Sequence, residues 1–189
     1  MQDSKKTALL VMDLQNSILQ NIEDTKPLLD NVSKAIAHAR AKEIPVIYVI
    51  VSFRAGVPEI SNRNKIFSGI GNKEMWTPEF VKQWEEIHAD VKPQNNDIMV
   101  TKRRISAFAG SDLEIVLRGL NIEHLVLSGV STSGVVLSTL REAADKDFEL
   151  TVLSDCCADR DAEVHQVLKA KIFPMQAEVI DVDAWIGLV

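Results

Sequence analysis

Residues 124–148 read HLVLSGVSTSGVVLSTLREAADKDF, and this stretch decides the fold. Residues 124–130 are a short apolar run of Leu, Val and small residues, the composition of a strand covered on both faces. Ser131, Thr132, Ser133 and Gly134 follow, all small or hydroxyl-bearing and suited to a tight turn. From 133 to 146 the apolar positions recur at helical spacing. A buried strand running through a short turn into a helix is the building unit of a parallel sheet.

Working outward, similar Val-, Ile- and Leu-rich runs stand at 7–13, 45–53, 97–101, 150–155 and 178–182. Helix-period segments lie at 26–43, 111–120 and 161–172. The alternation predicts an α/β fold: a doubly wound, about six-stranded, mainly parallel sheet flanked by helices, with residues 1–189 as one domain. Ser111-Asp112-Leu113-Glu114 has the form of a capping box, and Thr77-Pro78 marks another helix start. Residues 54–92 break the tight alternation. A connection of that length is either a lid, binding loop or subunit contact, or a helix and loops packed on the sheet.

The 189 residues, 46% hydrophobic and 25% charged, suffice for a sizeable core. A net charge of −6 disfavours phosphate backbones, so no nucleic-acid partner is expected. The apolar run in MQDSKKTALLVMDLQ is too short to span a bilayer and lacks a small-residue cleavage site, which predicts a cytoplasmic protein with no membrane association. Cys156 and Cys157 are neighbours, poorly placed for a disulfide framework. There is no CxxC or HExxH, and His38, His88, His124 and His165 are far apart in sequence, so neither a metal site nor a cofactor is expected.

In open α/β sheets, ligands bind beyond the carboxyl ends of the strands, where the strand order reverses. Asp13 closes the first predicted strand, Lys102 the third, and residues 129–134 the fourth. Desolvation raises an aspartate pKa and a nearby ammonium lowers it, so an Asp13/Lys102 pair would hold a carboxylate able to exchange a proton with substrate or water. Asp13 is otherwise a strand-end acid bonded to its own loop. The backbone of Val130, Ser131, Ser133 and Gly134 can approach a ligand and aim N–H groups at developing negative charge, or the hydroxyls can simply cap the helix. Arg54, Arg63, Arg103 and Arg104 are candidates for an anionic substrate or solvated surface charges. Arg54 follows the second strand, and Arg104 is in phase with Lys102 if the extended geometry continues.

ALLVMDLQ at residues 8–15 and VTKRRISAFAGSDLEIVLRGLNIEHLVLSGVST at residues 100–132 resemble the isochorismatase-like hydrolase superfamily, which includes isochorismatase, nicotinamidase and N-carbamoylsarcosine amidase. The resemblance spans nearly the whole chain. It implies a Rossmann-like fold, a small-molecule substrate, a homo-oligomer (dimer or tetramer), Asp13 and Lys102 as acid/base and partner, and a cis peptide between Val130 and Ser131. Cysteine hydrolases of the superfamily usually carry their nucleophile six residues after the glycine of the GVxT turn, which here is Val135. Isochorismatases proper also lack that cysteine, but carry glycine there. The Asp/His metal cluster of nicotinamidases has no counterpart in SFRAGVPEISNRNK at residues 52–65. The expectation is a metal-free hydrolase using Asp13 and Lys102, with Ser131, Ser133, Cys156 and Cys157 as possible replacement nucleophiles. The alternative is a non-catalytic metabolite-binding or assembly protein on the same fold.

Overall fold

The computed structural model describes residues 6–70 and 72–188, so the reading of residues 1–5 as part of a leaderless start lies outside the described residues. The strands are β1 (Thr7–Met12), β2 (Val46–Val51), β3 (Ile98–Lys102), β4 (His124–Val130), β5 (Glu149–Ala158) and β6 (Glu178–Ile180). They form one sheet in the order β3-β2-β1-β4-β5-β6, every neighbouring pair parallel. The helices are α1 (Asn16–Leu19), α2 (Lys26–Ala41), α3 (Pro78–Trp84), α4 (Leu113–Gly119), α5 (Leu137–Asp145), α6 (Ala162–Val167) and α7 (Val182–Leu188).

Successive side chains of β1 explain why its run is apolar throughout. Ala8, Leu10 and Met12 enter one core with Leu113 and Leu117 of α4 and Leu140 and Ala143 of α5. Leu9 and Val11 enter the opposite core with Val32 and Ile36 of α2 and Trp185 of α7. A strand covered on both faces has no polar side, which replaces the usual period-two alternation by a continuous run. The winding reverses between β1 and β4, which opens a crevice at their carboxyl ends.

The sheet and most helices match the sequence reading, with instructive departures. Thr77 caps α3 as expected, its Oγ1 accepting from the Phe80 N–H at 3.3 Å. The capping box does not close: Ser111 donates to the Ala107 carbonyl at 2.6 Å, and Glu114 is drawn to Lys146 at 2.7 Å. Segment 133–146 starts as a π-turn (Thr132–Val136) before α5, and β5 runs three residues beyond its expected end at Asp155. Short α1 is too brief to show a period, and α7 begins where the sixth apolar run was expected to end.

Residues 54–70 and 72–92 are a packed helix, short 3-10 turns and loops. Phe53, Val57, Phe67 and Trp76 form a small core with Val51. The segment is stitched to the sheet where Trp84 Nε1 donates to the Val51 carbonyl at 2.8 Å and Gln15 Nε2 to the Trp84 carbonyl at 2.7 Å. Among the described residues no helix is long and apolar enough to cross a membrane.

Candidate active site

A cleft of about 520 Å³ opens at the carboxyl ends of β1 and β4. Asp13 and Lys102 line it, together with Val130, Ser131, Ser133, Gly134 and Val135 of the turn. These seven residues singled out by sequence therefore converge. Arg54 and Arg104 do not, and Arg63 and Arg103 are not among the residues that line the cleft either.

Asp13 is the first residue beyond β1, with φ of 56°, a left-handed conformation that aspartate tolerates better than most residues. Its N–H donates to the Val49 carbonyl at 2.8 Å, which ties the bend to β2. Lys102 ends β3, so it approaches across the end of β2, two strand spacings or about 9.5 Å away. Its stem crosses that gap and places Nζ 2.9 Å from Asp13 Oδ2 and 2.9 Å from the Arg104 carbonyl. Both side chains are almost dry, 2% exposed for the lysine and 7% for the aspartate. Burial pushes the Asp13 carboxyl above the usual carboxylate range, and the neighbouring ammonium opposes this only in part. Asp13 Oδ1 has no hydrogen-bond partner among the described residues.

On the other wall, the peptide between Val130 and Ser131 is cis. Two glycines make the wall possible. A Cβ on Gly129, whose φ is 139°, would lie 2.1 Å from the Met12 carbonyl oxygen, and one on Gly134 would lie 2.7 Å from Ser131 Oγ. The backbone is less available than the sequence suggests. Ser133 N–H donates to Asp159 Oδ2 at 2.7 Å, and the Gly134 and Val136 N–H groups share the Ser131 carbonyl. Ser131 N–H has no acceptor among the described residues. Val135 is 2% exposed, part of the core beneath α5 as well as of the cleft wall.

The replacement nucleophiles fare unevenly. Cys156 and Cys157 lie inside β5 rather than after it, and both are buried. Burial pushes the Cys157 thiol up to about 12, and burial with the neighbouring Asp155 raises Cys156 as well, so neither forms a thiolate near neutrality. Ser131 and Ser133 face the cleft, but the one histidine brought to this turn, His165, bonds Thr132 Oγ1 through Nδ1 at 2.8 Å. Among the described residues, neither serine hydroxyl is hydrogen-bonded to a base.

Arg54 is 66% exposed and paired with Glu59 at 2.6 Å. Arg104 leaves the phase of Lys102 because β3 ends there. Its guanidinium donates to the Arg103 and Glu59 carbonyls and lies over Phe67. The sequence reading missed Asp159 and Arg160, which reach the cleft from the β5–α6 connection, and His165 of α6, which bonds Thr132 of the turn. The polar triplet Asp159-Arg160-Asp161 would have stood out had the strand been extended through the small apolar residues 156–158. Among the described residues, no group of three His, Cys, Asp or Glu side chains is arranged to hold a metal ion.

Known proteins share this architecture. The isochorismatase domain family matches residues 7–184. The isochorismatase family protein YecD of Escherichia coli O157:H7 is 33% identical over 184 residues, covering 96% of this chain and 95% of that one. Ureidoacrylate amidohydrolase RutB of Pseudomonas savastanoi pv. phaseolicola is 31% identical over 204 residues, covering 96% and 79%. An isochorismatase family protein from Burkholderia thailandensis superposes with a TM-score of 0.80 at 26% identity, covering 94% and 92%. A family match that takes in both β1 and the turn after β4, on this fold, makes the chain a member of the isochorismatase family, whose members are hydrolases.

Proposed function

We propose that this chain is a small-molecule hydrolase that works from Asp13 and Lys102 without a thiol or a metal. One arrangement carries the reading: a buried carboxyl, held by Lys102 through Oδ2 and unpartnered at Oδ1, opens on a cleft where Val135 takes the place that family resemblance gives to a nucleophile. Valine can neither attack nor ionise, so the attacking oxygen comes from water. Asp13 takes a proton from that water as its oxygen bonds to the electrophilic carbon. The carboxyl then returns the proton to the leaving group as the scissile bond breaks. Its raised pKa suits this traffic, because a group titrating nearer to neutrality both accepts and returns a proton readily. Lys102 and the Ser131 N–H stabilise the charge that develops on the substrate.

RutB is by name an amidohydrolase of ureidoacrylate, so the C–N bonds of small amides and ureido compounds are the first to test. Enol ethers come second, since isochorismatases resemble this chain in lacking the cysteine. Turnover found in such a screen is expected to survive iodoacetamide and EDTA and to vanish in Asp13→Ala. Turnover that is abolished by iodoacetamide and by Cys156→Ala or Cys157→Ala, yet survives Asp13→Ala, overturns the assignment. Val135 also favours a second reading, a descendant that binds a metabolite without changing it. Calorimetric binding of a metabolite recovered intact after long incubation would establish that one.

A further inference from the structure

The Lys102 ammonium has three N–H donors, and two of them are accounted for. One faces Asp13 Oδ2 at 2.9 Å and one the Arg104 carbonyl at 2.9 Å, with no third acceptor among the described residues. An ammonium on a flexible stem turns about its last bond until its donors are anchored. It is tetrahedral, so two anchored N–H groups fix the direction of the remaining one, and Lys102 lines the cleft. The first anchor, Asp13, is a buried carboxyl at the end of a central strand. The second is a backbone carbonyl two residues beyond the end of β3, where no sheet partner holds the chain. Arg104 supplies its own brace there. Its Nη1 donates back to the Arg103 carbonyl at 2.6 Å, its Nη2 to the Glu59 carbonyl at 2.9 Å, and the guanidinium lies 5.8 Å from the centre of the Phe67 ring.

We infer that Arg104 is a positioning residue, whose side chain braces the carbonyl that, together with Asp13, turns the third N–H of Lys102 into the cleft. A guanidinium is a planar, rigid fork, so bonding the preceding carbonyl and the carbonyl of another segment at once leaves the Arg104 backbone little freedom. Arg104 does not itself line the cleft, and it acts through Lys102. Its neighbours give the contrast. Arg54 grips the same Glu59, but by the carboxylate at 2.6 Å and from an exposed position, and Arg103 fastens the Ser52 carbonyl at 2.6 Å. Among the described residues neither offers a carbonyl to Lys102 Nζ. What the aimed N–H does in a reaction rests on the hydrolase reading, whereas the way it is aimed does not.

Two measurements on the full chain test the inference. In nitrogen–proton correlation NMR, the Lys102 ammonium signal, assigned by its absence in Lys102→Arg, is expected to exchange slowly with water in the wild type. Arg104→Met should speed that exchange by about tenfold, the equivalent of one lost hydrogen bond. Arg104→Lys should fall between the two, since an ammonium reaches one of the two carbonyls, and it carries the comparison alone if the methionine variant does not fold. Arg54→Met loosens the same connection at Glu59 and should leave the signal as in the wild type. With a substrate from the screen, Arg104→Met should lower kcat about tenfold and keep KM within about twofold, because an N–H aimed at developing charge acts in the transition state. Unchanged Lys102 exchange in the Arg104 variants overturns the inference, and so does an equal disturbance in Arg54→Met, which would assign the effect to the connection as a whole. A rise in KM at constant kcat also overturns it, leaving Arg104 as a support of the Phe67 wall. Arg104-dependent exchange in a protein that turns over nothing leaves the inference standing and removes the hydrolase reading. Asp13-dependent turnover with exchange indifferent to Arg104 does the reverse.

Discussion

The two walls of the cleft are built differently. At the ends of β1 and β3, two buried ionisable side chains are held by three packed strands, with one carboxyl oxygen left open. In the turn after β4, the Ser133, Gly134 and Val136 N–H groups are bonded within the protein, and residue 135 is an aliphatic side chain set partly in the core. The first wall retains what proton transfer requires; the second has backbone order without a nucleophile. On the proposed reading, acid/base and covalent chemistry are separable on this scaffold, because the first depends on a pair spanning the sheet and the second on one side chain.

The largest effects should come from breaking the first wall. Asp13→Asn is expected to lower turnover by about 10²–10⁴-fold, measured as kcat with a substrate from the screen. Lys102→Met leaves a buried carboxyl without its counter-ion and should cost about 3–5 kcal/mol of stability near pH 7. A carboxyl raised above 3.8 in the folded state takes up a proton on folding, so stability falls as pH rises above that value. The deficit of Lys102→Met should therefore shrink as pH is lowered from neutrality towards 4, which urea unfolding at several pH values would reveal.

Gly129→Ala strikes the seam between the walls. Its methyl would meet the Met12 carbonyl at 2.1 Å, backbone against methyl with no flexible end to yield, beside Asp13. A loss of about 1–3 kcal/mol or more and a drop in turnover are expected together. Stability lost with turnover unchanged would show that the seam does not position Asp13.

Val135→Cys sharpens the comparison by supplying the second wall with a thiol. The exchange is close in volume, so the stability change should stay within about 1.5 kcal/mol. Intact-protein mass spectrometry after brief iodoacetamide treatment should show one adduct in the variant, whose residue 135 lines the cleft, and none in the wild type, whose thiols are buried in β5 away from the cleft lining. Failure of the variant to react would mean that the turn does not present residue 135 to the cleft.

The smallest effect concerns His165, whose pKa is lowered by burial and by Lys169 and raised in part by Asp159. The folded state then binds fewer protons than the unfolded one. Its stability contribution is present above about pH 6.5 and is lost as the pH falls below that. Asparagine offers Thr132 an acceptor that does not titrate, so His165→Asn should flatten this slope, with a change under about 1 kcal/mol. An identical pH slope in the two proteins would remove His165 as its source.

Much was legible in the sequence for a local reason. Apolar runs of strand length alternate with helical periods, which identified the strands, and strand-end polarity pointed to Asp13 and Lys102 before any contact was known. Polarity misled at β5, where Asp155 looked like the end of the strand. Its Oδ1 accepts the Val182 N–H at 2.9 Å, while the strand continues to Ala158 and delivers Arg160 to the cleft. Arg54 and Arg104 show the opposite error, since nothing local reveals that Glu59 and backbone carbonyls have already claimed them.

By itself the sequence determined the alternating α/β order, the acid at the end of β1, the lysine at the end of β3 and the valine in the turn. All of these follow from side-chain type and short-range periodicity. Only the tertiary structure decided that Lys102 reaches across β2 to Asp13, that the turn's donors are largely spent, and that of the two cations lining the cleft Lys102 is paired while Arg160 has no partner among the described residues. Those outcomes depend on which charges and hydrogen-bonding groups meet in the fold, and for Lys102 with Asp13 and Ser133 with Asp159 the partners lie far apart along the chain.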